Sequence, residues 1–127
     1  MRRVVVVDDD EAIGPAIQLL LEPEGIFVEA PGGGAAALPS LLRDPPDLII
    51  LDVNMPGMSG WEICAILRRQ TATREIPILF LTGRHELKDR ITAMQFGGSD
   101  YLLKPFTARE LVEKVRALLP ARSGAAR

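Results

Sequence analysis

Leu48-Ile49-Ile50-Leu51-Asp52 carries no polar side chain until its last position. A strand with one face in water alternates apolar and polar residues. An unbroken run of this length instead reads as a strand buried on both faces, the pattern of a parallel sheet covered by helices. Val4–Val7 and Ile78–Leu81 repeat the pattern, and weaker runs occur at Phe27–Val28 with its flanks and at Tyr101–Leu103. A stretch with helical spacing follows each of the five. The order is therefore (βα)5, and it predicts an α/β fold, a doubly wound five-stranded parallel sheet.

The intervening segments carry helix punctuation. Ser59 with Glu62, and Thr107 with Glu110, have the spacing of capping boxes. After the second, Leu111, Val112, Val115, Leu118 and Leu119 fall on one stripe of a helix. Gly25, Gly97 and Gly98 stand where the first and fourth helices should end. Pro15 is tolerable near the first turn of a helix. Pro39 would remove a backbone donor from the second helix, which also starts after Pro31-Gly32-Gly33-Gly34, so that helix should be short, kinked or displaced.

Composition narrows the class further. The 127 residues fit one domain over 1–120, with 121–127 as a tail or the start of a linker. A net charge of −2 gives no polyanion-binding surface, so direct nucleic-acid binding by this chain is not expected. No apolar run approaches the ~18 residues needed to cross a bilayer, and the N-terminus lacks a signal peptide's apolar segment, so no membrane association is expected. The one cysteine, Cys64, cannot form an internal disulfide and reads as a small core hydrophobe beside Ile63, Ile66 and Leu67. Met55, Met58 and Met94 likewise read as packing, and the expected setting is the cytoplasm.

Four of the five apolar runs end in a chemically useful side chain: Val7 before Asp8 and Asp9, Leu51 before Asp52, Leu81 before Thr82, and Leu103 before Lys104. In open parallel sheets the carboxyl ends of the strands converge on one crevice, which would bring these groups together. Two carboxylates about 5 Å apart repel by roughly 3 kcal/mol at an effective dielectric near ~20. Three carboxylates with one lysine leave a formal −2, which calls for protons or a divalent cation. An all-oxygen donor set without histidine or thiol selects a hard ion such as magnesium. A carboxylate beside that ion can attack phosphorus, and Asp52 on the middle strand is best placed to do so. Thr82 and Lys104 would help to neutralise the phosphoryl oxygens.

Val7-Asp8-Asp9-Asp10, Leu51-Asp52-Val53-Asn54-Met55-Pro56-Gly57-Met58-Ser59-Gly60, Leu81-Thr82-Gly83 and Asp100-Tyr101-Leu102-Leu103-Lys104-Pro105-Phe106 together resemble the receiver domains of two-component response regulators. The likeness runs from about Arg3 to Leu119. It implies a flavodoxin-like strand order of 2-1-3-4-5, as in the chemotaxis receivers. It further implies that Asp52 is the phosphoacceptor. Asp9, Asp52 and the backbone carbonyl of Asn54 would ligate magnesium, with manganese as an alternative ion, and Asp8 would act through water. Lys104 would pair with the phosphoryl oxygens, and the Lys104–Pro105 peptide would be cis. Thr82 and Tyr101 would form a switch pair. Asn54 and Arg84 stand where the family tunes the lifetime of the phosphoryl group, Arg84 either by touching that group or by obstructing water. The implied donor is a phosphohistidine on a sensor histidine kinase or a phosphotransfer protein. The face made by helix 4, strand 5 and helix 5 would be remodelled on phosphorylation, and it is also the face through which a homodimer can form.

Simpler roles compete at several positions. Asp10 and Glu11 suit the start of a helix, Tyr101 suits an amphipathic strand, and His85 reads as a surface residue. The run Gly32–Gly34 is no phosphate loop, because no lysine-serine or lysine-threonine pair follows it. Two rival functions also use this topology. An aspartate-dependent phosphatase would want a proton donor where Asn54 stands. A flavin-binding module would want hydroxyls and amides where Asp8-Asp9-Asp10 would repel the flavin phosphate.

Overall fold

The computed structural model describes residues 2–83, 91, 94, 95 and 97–119. Its strands are β1 (Arg2–Val7), β2 (Ile26–Glu29), β3 (Leu48–Asp52), β4 (Ile78–Thr82) and β5 (Asp100–Leu103). They form one sheet in the order β2-β1-β3-β4-β5, with every pairing parallel. The described helices are α1 (Ile13–Leu21), α2 (Leu38–Arg43), α3 (Gly60–Arg69) and a C-terminal helix, Ala108–Leu118. Of the expected fourth helix, Ile91, Met94 and Gln95 are described, and all three are helical.

The period-two geometry of a strand turns the unbroken apolar runs into two separate cores. On one side of the sheet Val4, Val6, Leu48, Ile50, Leu79 and Leu81 meet Ile17 and Leu21 of α1 and Leu111 and Val115 of the C-terminal helix. On the other side Val5, Val7, Ile49, Leu51, Ile78 and Phe80 meet Leu41 of α2 and Ile63, Cys64 and Leu67 of α3. Every residue of β3 and β4 is buried, as expected of central strands in a sheet covered on both faces.

The helix ends follow local chemistry. Ser59 and Thr107 each accept the backbone N–H of the glutamate three residues on, and each glutamate accepts the capping residue's own N–H in return, which completes both capping boxes. Pro15 lies in the first turn of α1, where its missing N–H costs nothing. Gly25, at φ +80°, closes the short 3-10 turn Glu22–Glu24 that follows α1. The second helix spans six residues, with Pro39 in its first turn and a 3-10 turn, Gly34–Ala36, before it. Pro39, tolerated only in a first turn, fixes where the helix starts, and Pro45 and Pro46 follow directly after its end. Met94 departs from expectation: it is 61% exposed.

Candidate functional site

The sheet register assembles the acidic groups. Val7 pairs with Leu51, and Asp52 pairs with Leu81, so Asp8 just after β1 and Asp52 at the end of β3 emerge side by side at one end of the sheet. Leu103 pairs with Thr82, which brings the next residue, Lys104, to the same end. Carboxylate oxygens of Asp8, Asp9 and Asp52 lie within 4.8 Å of one another. Asp8 and Asp52 are buried, and Asp9 is exposed. The Lys104 ammonium donates to Asp8 Oδ2 at 3.0 Å and to Asp52 Oδ1 at 3.3 Å. The Lys104–Pro105 peptide is cis.

The balance of charge is visible in the titration of two groups. Burial, and then the neighbouring Asp8 charge, push the Asp52 carboxyl above its ordinary range; Lys104 and the backbone N–H of Asn54 oppose this and lose. For Lys104, burial favours the neutral amine, but the bonds and charges of Asp8 and Asp52 outweigh it and hold the ammonium above its ordinary value. Three carboxylates and one ammonium leave a formal charge of −2. The donor set fits a hard divalent cation, since it offers several oxygens, no soft ligand and unbalanced negative charge.

The other residues singled out in the sequence take separate places. Thr82 is the buried last residue of β4. Asn54 is exposed two positions beyond Asp52. Tyr101 is half-buried on β5, against the core on the α3 side. The Lys114 ammonium lies 5.6 Å from the centre of its ring and 2.8 Å from Asp100 Oδ2. Asp10 accepts the Ala12 N–H at 3.0 Å and so serves the turn that opens α1. Arg84 and His85 lie outside the described residues. A cavity of about 350 Å³ adjoins the cluster, walled by Asp8–Glu11 on one side and by Ala30–Gly32 on the other.

Two glycines belong to the site: Gly60, the last residue of the Leu51–Gly60 stretch that resembles a receiver, and Gly33, read from the sequence only as part of the run that displaces the second helix. A Cβ on Gly60 would overlap the carbonyl oxygen of Asp52 and stand 3.0 Å from Val53 Cα. The first turn of α3 can therefore abut the Asp52 backbone only without a side chain there. A Cβ on Gly33 would lie 2.7 Å from Asp9 N. For Gly60 the signal lay in the motif itself, which ends on that glycine directly after the Ser59 cap.

Residues 4–116 match the family model for the response regulator receiver domain. The chain belongs to that family. Such receivers are phosphorylation-dependent switches of two-component signalling. This receiver is 40% identical over 117 residues to the response regulator MprA of Mycobacterium leprae, covering 92% of this chain and 50% of that protein. It thus spans about half the length of the curated relatives it matches. Among solved structures, the chemotaxis protein CheY4 of Vibrio cholerae superposes with a TM-score of 0.88 at 32% identity, covering 94% of this chain and 99% of that one. The receiver domain of the sensor histidine kinase PA1611 from Pseudomonas aeruginosa superposes with a TM-score of 0.83 at 29% identity, covering 92% and 96%. That structure has a magnesium ion coordinated in its active-site cleft. No described helix of this receiver is long and apolar enough to cross a membrane.

Proposed function

We propose that Asp52 is the phosphoacceptor of this receiver. The observation that carries the proposal is the Lys104 ammonium shared between Asp8 and Asp52, with Asp9 completing a carboxylate group too negative for one lysine to balance. Asp9, Asp52 and the Asn54 carbonyl would hold magnesium, or manganese in its place, and Asp8 would act through water. Bound there, the ion supplies charge neutralisation at the phosphoryl oxygens. The PA1611 receiver, with its magnesium, supports that choice of ion.

In the transfer, an Asp52 carboxylate oxygen bonds to phosphorus as the bond from phosphorus to the donor's imidazole nitrogen breaks, and the leaving imidazole takes up a proton. Lys104 is poised at 3.3 Å from Asp52 to meet the incoming phosphoryl oxygens. The Thr82 hydroxyl and the Tyr101 ring then report the modified state to the face built on helix 4, β5 and the C-terminal helix, through which a homodimer can form. Asn54 and Arg84 tune how long the phosphoryl group survives. The donor is a phosphohistidine on a sensor kinase or phosphotransfer protein, the receiver works in the cytoplasm, and the functional unit spans residues 1–120.

The test uses acetyl phosphate, or beryllofluoride, with magnesium. Wild type should gain one acid-stable, hydroxylamine-labile phosphoryl group or bind the fluoride complex, and Asp52→Ala should do neither. Labelling that persists in Asp52→Ala would remove the assignment. Because Asn54 cannot donate a proton, p-nitrophenyl phosphate should not be turned over; multiple turnovers would favour the phosphatase reading instead.

A further inference from the structure

We propose that Gly33 is a positioning residue for the metal site: the glycine-rich loop between β2 and α2 braces Asp9 from behind and thereby sets the affinity for magnesium. The inference rests on the metal reading above and adds a residue that lies outside the acidic cluster.

The contact is between backbones. A Cβ at position 33 would stand 2.7 Å from Asp9 N and 2.9 Å from both Asp9 Cα and Asp9 Cβ. Neither partner can simply withdraw. Asp9 lies between Asp8, which accepts the Asp10 N–H at 2.9 Å, and Asp10, whose carbonyl accepts the Ile13 N–H at 3.1 Å. The loop is held at both ends of the contact. Ala30 packs so closely on Gly14 of α1 that a Cβ on Gly14 would overlap its methyl group. Gly34 donates its N–H to Met55 Sδ at 3.3 Å, and Met55 is itself buried in the core on the α3 side. A methyl group at position 33 therefore forces a shift, and these restraints on the loop direct it onto Asp9.

Displacement matters because magnesium demands near-octahedral geometry with ligands at about 2.0–2.1 Å, whereas calcium accepts longer and more variable contacts. A shift of Asp9 by a few tenths of an ångström should weaken magnesium more than calcium. A loop that merely contributes to stability would not change that preference.

The experiment is calorimetric titration of the full chain with magnesium and, separately, with calcium, alongside thermal melts. Gly33→Ala should bind magnesium about tenfold more weakly, at the lower end of what mislaid support for a ligand costs, and its preference for magnesium over calcium should fall. Gly32→Ala is the control. Gly32 has φ +110°, and nothing lies within 4 Å of the place a Cβ would take. That change should lower the melting temperature and leave magnesium affinity as it is. Met55→Leu keeps the volume but removes the sulfur acceptor, and should weaken magnesium about two- to fivefold, the equivalent of one modest hydrogen bond. A folded Gly33→Ala that binds magnesium like wild type overturns the proposal, as does a Gly32→Ala that loses as much affinity. If Gly33→Ala does not fold, Ala30→Gly decides: it frees the other end of the loop from Gly14 without adjoining Asn54, should weaken magnesium severalfold, and overturns the proposal if its affinity is that of wild type. Wild type that takes up no magnesium, or Asp9→Ala that binds it undiminished, removes the metal reading and this inference together, and so the two failures are told apart.

Discussion

Cys64 shows how far single residues could be read. Its neighbours Ile63 and Leu67 marked it as a core residue, and it is fully buried. Burial pushes its thiol up to about 11. At pH 8 only about one thiol in a thousand would then be ionised, and the thiolate is the reactive form. A disulfide reagent such as dithionitrobenzoate should therefore label the native receiver only as fast as it opens, and at once in denaturant. Complete labelling within seconds under native conditions would refute this burial. The sign of the linkage follows: a thiol raised in the folded state contributes stability that is intact below its ordinary value and is lost as pH rises through about 11. Other residues were not readable in this way. Nothing near Gly33 in sequence announces Asp9, because the contact exists only once β1 and β2 lie side by side.

Among the elements, legibility followed the source of each signal. Central strands covered on both faces carry unbroken apolar runs of four residues, so β1, β3 and β4 stood out, while β2 and β5 at the sheet edges were weaker. The Pro39 and glycine signals foretold the shortened α2. Both capping boxes were legible because all their chemistry lies within four residues. They should matter equally. Ser59→Ala and Thr107→Ala should each cost about 1 kcal/mol, seen as a lower urea midpoint with an unchanged slope. The helices they open pack on opposite faces of the sheet, so the double variant should lose about 2 kcal/mol, the sum expected of independent sites. A loss well short of that sum would mean that the two caps share a partner.

For the molecule as a whole, assembling an acidic cluster that could hold a cation costs stability. The folded state raises the Asp52 carboxyl above its ordinary range, chiefly by burial and then by Asp8. A carboxyl raised in this way contributes stability that is fully present below its ordinary value and is lost as pH rises through its folded value. At neutral pH without divalent cations, ionised Asp52 therefore weakens the fold. Asp52→Asn keeps the shape, can still accept a bond from Lys104 and removes the repulsion with Asp8. It should accordingly melt higher than wild type at pH 7 in chelator, and that advantage should shrink as pH falls into the ordinary carboxylate range. Other carboxylates titrate in both proteins, so the difference between the two melts isolates Asp52. Magnesium should reverse the order. At about a hundred times the dissociation constant, a ligand specific to the folded state adds ~2.7 kcal/mol, on the order of 10 °C for a chain of this size. Wild type should gain that much, and Asp52→Asn, lacking a ligand, much less. Equal shifts in both proteins would mean that magnesium binds elsewhere, and an Asp52→Asn variant less stable than wild type in chelator would mean that Lys104 neutralises the cluster unaided.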